Sequence, residues 1–120
     1  MEKIVNLLEF RGEGSTLFTG RPQGVSAREK LNLKDLDESQ YNVKVIIPKG
    51  TTSFNPSFFL GLFFDSIKKM GLNRFKSKYK FVYEDEDDRV GNVLKGHVNE
   101  AFMHAENSLK NRTSLKKLFS

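Results

Sequence analysis

Four hydroxyl side chains and an Asn-Pro pair stand together in Thr51-Thr52-Ser53-Phe54-Asn55-Pro56-Ser57, directly before a run of phenylalanines. Asn is a preferred helix N-cap and Pro suits the first helical position, so the pattern places a helix start at Asn55. A helix start leaves unpaired backbone N–H groups and a partial positive charge. A phosphate on a neighbouring hydroxyl, adding about −1.5 to −2 charge, would be stabilised there. The same residues also serve to cap a helix and satisfy a loop, and residue types alone leave both readings open.

A second cluster, Gly20-Arg21-Pro22-Gln23-Gly24 with Arg28 beyond it, has the parts to hold an anion or a partner at a strand-to-helix junction. It lacks the Lys and hydroxyl of a Walker A loop and the spacing of the dinucleotide fingerprint. Arg21 and Arg28 could equally pair with acids of the chain itself. His97, Glu100 and His104 fall on nearly one helix face, yet two imidazoles and one carboxylate from a single helix are too few for a metal site. Residues 84–88, EDEDD, offer carboxylates without the turn glycine of a calcium loop and read as an acidic helix start. The chain has no cysteine, which removes disulfides, thiolate metal sites and cysteine nucleophiles. No Ser-His-Asp set and no acid–base carboxylate pair can be read, so the expectation is a non-enzymatic protein without cofactor or metal.

The net charge of +5 is unevenly spread, because residues 1–60 hold eight basic against seven acidic side chains. The excess lies at Arg74, Lys76, Lys78 and Lys80, which alternate with Phe75, Tyr79 and Phe81 as in a strand with one wet face, and after Ser108, where Lys116 and Lys117 stand. An alternating basic strand beside aromatics can track a phosphate backbone, which makes a small nucleic-acid-binding regulator the alternative reading.

The elements that must carry these residues follow from periodicity. One hundred and twenty residues suffice for one domain, taken as 1–109 with a basic tail at 110–120. Residues 3–10 and 15–19 read as strands joined by the Gly-rich turn between them into a β-hairpin. Residues 21–31 read as a helix, on which Gly24, Ala27 and Leu31 form a small-residue face for close packing. KDLDESQ reads as a polar connector and Val43, Val45, Ile46 and Ile47 as a central strand. A buried helix from Asn55 to the stop at Gly71 follows, then the strand at 74–84, then a helix striped by Val90, Leu94, Val98, Ala101, Phe102 and Ala105. The fold class is therefore α/β, a mixed sheet of about four strands layered with about three helices. The N-terminus has acids and no basic leader, and no stretch approaches ~20 apolar residues, so the chain reads as cytoplasmic and independent of membranes.

Three segments together carry a family resemblance: TGRPQGVSAREKL, NVKVIIP, and TTSFNPSFFLGLF leading into KKMGLNRF. In their order and spacing they resemble the STAS-like bacterial domains of unknown function, relatives of the anti-sigma-factor antagonists, over roughly residues 15–85. The resemblance implies a signalling domain that binds a protein partner, a histidine-kinase-like ATPase, through the strand-helix loop 51–57. In the antagonists a serine in that loop is phosphorylated and the partner released. By the resemblance, Asn55 falls at the family's acidic position and Pro56 at the usual acceptor, which leaves Ser57 or Ser53 as substitute acceptors.

Overall fold

The computed structural model describes the backbone of residues 2–11 and 15–119, with side chains as far as Lys110. Three strands, β1 (Glu2–Asn6), β3 (Asn42–Ile47) and β5 (Tyr79–Tyr83), form a sheet in the order β1-β3-β5. Two short strands, β2 (Leu17–Phe18) and β4 (Ser53–Phe54), form a second, two-stranded sheet. All the pairings are parallel, with Val5 beside Val45, Val45 beside Phe81, and Phe18 beside Phe54. The helices are α1 (Arg21–Lys30), α2 (Leu33–Glu38), α3 (Pro56–Met70), α4 (Leu72–Lys78) and α5 (Asp88–Phe119). The fold is α/β, as the sequence suggests, but among the described residues it has five strands and five helices, and no strand pair is antiparallel.

Four local expectations are corrected. The opening hairpin does not form, because β1 and β2 each pair with a later strand and not with one another. β1 also ends early: Asn6 Oδ1 accepts the Leu8 N–H at 2.9 Å and turns the chain into a 3-10 turn at Leu8–Phe10. The Gly12–Gly14 connection lies outside the described residues. The polar connector contains helix α2, which buries Leu33 and turns Asp37 inward. The basic segment 74–78 is helix, and the strand begins only at Tyr79. Phe75 and Tyr79 fit either period, since residues four apart share a face of a helix as well as of a strand. Ser77 decides the case: a strand would bury it between them, and it is exposed. Phe75 and Tyr79 instead stack with ring centroids 4.7 Å apart.

Successive right-handed crossovers between neighbouring parallel strands carry their helices to the same side of the sheet. Burial agrees with this rule: Val5, Val43, Val45, Ile47 and Tyr79 are buried on one face, while Ile4, Lys44, Lys80 and Val82 on the other are exposed. Helix α3 fills the covered side with Phe58, Phe59, Leu62, Phe63 and Ile67, all fully buried. Phe59 alone meets the rings of Phe54, Phe63, Phe75, Phe81 and Phe102 at centroid distances of 5.4 to 6.3 Å. Removing such a ring costs about 3–5 kcal/mol in a packed core.

Helices α1 and α3 touch backbone to backbone. A Cβ on Gly24 would lie 2.2 Å from the Phe58 carbonyl oxygen, and one on Gly61 would lie 2.2 Å from that of Arg21. The crossing therefore requires glycine on both helices. Helix α5 runs without a break from residue 88 to residue 119, past the boundary expected at 109. At 1.5 Å per residue its 32 residues span about 48 Å, which accounts for the 49 Å long axis of the molecule.

Candidate functional site

The loop 48–57 lies where the parallel strands β3 and β4 deliver the chain to α3, at the carboxyl ends of strands where open α/β sheets gather their binding residues. Its hydroxyls divide into two sets. Thr51 is buried; its Oγ1 donates to the Pro48 carbonyl at 2.8 Å and accepts from Arg11 Nη1 at 3.1 Å. Thr51 therefore holds the loop from inside. Thr52 is exposed, and its hydroxyl lies 2.7 Å from that of Thr16 while its backbone N–H donates to the Thr16 carbonyl at 2.8 Å. Ser53 is half-buried in β4, and Ser57 is exposed at the second position of α3.

Asn55 caps α3 as its residue type suggests. Its backbone is extended and its Oδ1 accepts the Ser57 N–H at 2.8 Å, while Pro56 opens the helix and Gly71, at φ 83°, ends it. The loop is also fastened to α5. His97 Nδ1 accepts the Phe54 N–H at 3.2 Å. His97 therefore faces the loop, whereas His104 lies 3.7 Å from Glu100. Among the described residues no three His, Asp or Glu side chains are grouped to hold a metal ion.

Beside the loop, Thr52, Asp87, Arg89, Val90 and Val93 line an open cleft of about 430 Å³. Asp87 comes from the acidic run and caps α5, accepting the Arg89 N–H at 2.9 Å. Val93 is half exposed. The exposed Thr52 hydroxyl, two valines and a charged pair thus share one rim, and of these the sequence reading places only Thr52 in the candidate loop.

The second cluster disperses. Gly20 precedes α1 at φ 90°, where a Cβ would strike the Gln23 side chain, and Gly24 is committed to the α3 crossing. Arg21 lies over the Phe64 ring at 5.6 Å and is exposed. Arg28 turns inward. Its Nη2 meets Asp37 Oδ2 at 2.7 Å, and its Nη1 donates to Ser66 Oγ at 2.7 Å and to the Leu62 carbonyl at 3.0 Å. Asp37, with a fully buried side chain, also accepts from Ser66 Oγ and from the Tyr79 hydroxyl at 2.5 Å. Burial and then this bond to Asp37 hold the Tyr79 hydroxyl far above its ordinary value. This Arg28-Asp37-Ser66-Tyr79 network joins α1, α2, α3 and β5, and nothing in the sequence pairs its members.

The basic residues do not form a line. Arg74 and Lys78 share one face of α4, and Lys76 is about 200° round the helix with its amine 4.7 Å from the Phe102 ring centroid. Lys78 is half-buried and donates to the Ser39 and Tyr41 carbonyls at 2.7 and 2.6 Å, with burial lowering its pKa. Lys80 lies on the open sheet face beside Lys44. The Lys116 and Lys117 side chains lie outside the described residues. No helix among the described residues is long and apolar enough to cross a membrane. No family model, curated protein or solved structure matches the chain.

Proposed function

We propose that this chain is a non-enzymatic regulatory domain that binds a protein partner through the loop 51–57 and the adjoining first turns of α5. The observation that carries the reading is the rim itself: exposed Thr52 beside a cleft walled by Val90 and Val93, with exposed Ser57 five residues further along the same loop at the start of α3. A hydroxyl and a charged pair beside an apolar wall suit a protein surface, where a small apolar core ringed by polar contacts is the usual anatomy. The STAS-like resemblance adds a partner class, a histidine-kinase-like ATPase, and a regulatory logic. A phosphate on Ser57 would sit over the α3 N-terminus, welcome there yet able to repel an acidic partner. Ser57 is the better acceptor of the two candidates because it is exposed and Ser53 is half-buried.

The test is affinity capture from the native host with the purified chain as bait, set against the double variant Ser57→Arg with Val93→Arg. Both positions are exposed, so the variant should fold with an unchanged circular dichroism spectrum. A protein retained by the wild type and lost from the variant supports the reading. Equal retention by both places the binding surface elsewhere.

A further inference from the structure

Helix α4 and the start of β3 border an open cleft of about 310 Å³, lined by Asn42, Asn73, Arg74, Ser77 and Lys78. It lies at the amino ends of β3 and β5, whereas the loop 51–57 follows the carboxyl end of β3, so the two sites stand at opposite ends of the sheet. Two cations, two amides and a hydroxyl line the cleft, and no acid does. Asn73, Arg74, Ser77 and Lys78 fall within about 140° of the helix circumference. Arg74 and Lys78 are four residues apart, a spacing at which like charges are unfavourable on a helix, and among the described residues neither forms an ion pair with a carboxylate.

The two cations differ in freedom. Lys78 is held beside the cleft, its ammonium donating to the Ser39 and Tyr41 carbonyls at 2.7 and 2.6 Å with Ser39 Oγ at 3.4 Å. Those acceptors are neutral, and Asp37, the acid that acts on Lys78 from further inside, is already occupied by Arg28, Ser66 and Tyr79. Burial accordingly lowers the Lys78 pKa, as for a cation short of counter-charge. Arg74 is exposed, and among the described residues neither its guanidinium nor the side chains of Asn42, Asn73 and Ser77 make a hydrogen bond.

We infer that this cleft binds a phosphate group, either inorganic or carried as a monoester on a small molecule. The planar fork of Arg74 can meet two phosphate oxygens side by side, and Lys78 supplies a fixed point charge. The Ser77 hydroxyl and the Asn73 amide are donors for the remaining oxygen. A dianion uses both cations at once and turns their mutual repulsion into attraction, which a single carboxylate does less well. Lys76 is about 200° round the helix from Arg74 and Lys80 lies on the open sheet face, so the cleft suits one phosphate group and not a run of them.

Titration of the isotope-labelled full chain with inorganic phosphate and with adenosine monophosphate, followed by two-dimensional NMR at fixed ionic strength, tests the inference. Amides of residues 39–42 and 73–78 should shift and saturate together, with a Kd of about 1 mM or tighter. Equal affinity for the two probes assigns the site to the phosphate group alone, tighter binding of the nucleotide assigns it to a monoester, and both results support the inference. Arg74→Gln and Ser77→Ala, at exposed positions, should weaken binding, the first by more than about tenfold, while Lys76→Gln should leave it unchanged. Shifts that do not saturate, or that sodium chloride reproduces at the same ionic strength, overturn the inference. So does equal weakening by Lys76→Gln and Arg74→Gln, which would mean diffuse attraction to a basic surface. The loop variant Ser57→Arg with Val93→Arg should bind phosphate as the wild type does, so this result stands apart from the capture experiment.

Discussion

Replacing Asp37 by Asn changes one atom and should remove a large share of the stability of this domain. The carboxylate is fully buried and accepts from Arg28, Ser66 and Tyr79, and the Arg28 side chain is only 13% exposed. Taking away the negative charge leaves the guanidinium with only neutral acceptors, the Leu62 carbonyl and the Ser66 hydroxyl. Breaking a buried ion pair from one side costs about 3–5 kcal/mol, against a total of about 5–15 kcal/mol for a single domain. The partners should fall in order: Tyr79→Phe, which loses one hydrogen bond to a charged acceptor, costs about 1.5–3 kcal/mol, less than Asp37→Asn. Urea unfolding followed by circular dichroism reads these differences as shifts in midpoint at constant slope. The triple variant Arg28→Met, Asp37→Leu, Tyr79→Phe removes every charge together and should recover much of the loss, because apolar replacements of a buried pair are often neutral. An Asp37→Asn cost under about 1 kcal/mol would refute the reasoning, since it would mean that water reaches the carboxylate in the folded chain.

Three further outcomes are expected. Gly61→Ala drives a methyl group into the Arg21 carbonyl and should cost about 1–3 kcal/mol or more by forcing α1 and α3 apart, while the same change at Gly91, which has open space around it, should cost far less; thermal melts of the two variants make the comparison. Asn55→Ala removes the cap on the Ser57 N–H and should cost about 1 kcal/mol, with faster amide exchange confined to the first turn of α3. Alkali should unfold the protein above about pH 10. Burial raises Tyr79 and pushes Tyr83 up to about 12, so the folded chain keeps protons that the unfolded chain releases near 10. That stability is whole below pH 10 and is lost as pH climbs toward 12. Lys78 acts in the opposite direction, since its lowered value means that the unfolded chain holds more protons below 10.5 and stability there rises with pH. A pH titration of the urea midpoint separates the two trends.

Helix α3 was fully legible because several local signals agreed. Asn55, Pro56, a continuous apolar run and Gly71 name its start, its burial and its end in one stretch of chain. The close approach of α1 was legible from Gly24 and Ala27, although the facing Gly61 was hidden within the phenylalanines. Pairing was not legible at the N-terminus, since the partner of β1 is a strand some forty residues on and the Gly-rich turn offered a nearer one. Residues 74–80 misled because Phe75 and Tyr79 satisfy both periods, and only the exposure of Ser77 separates them. The hydroxyl loop could be read as a site, but its valine wall could not, because α5 contributes Val90 and Val93 from more than thirty residues away. Arg28 showed its charge in the sequence and concealed its partner, since Asp37 lay in a segment read as connector.

The most direct test of the proposed function is hydrogen–deuterium exchange of the chain with and without the protein that it captures. Partner binding through the candidate site should protect amides in residues 51–57 and 87–93 and leave the bare sheet face at residues 2–6 and 79–83 unchanged. Protection confined to other segments, or none at a partner concentration that saturates binding, would contradict it.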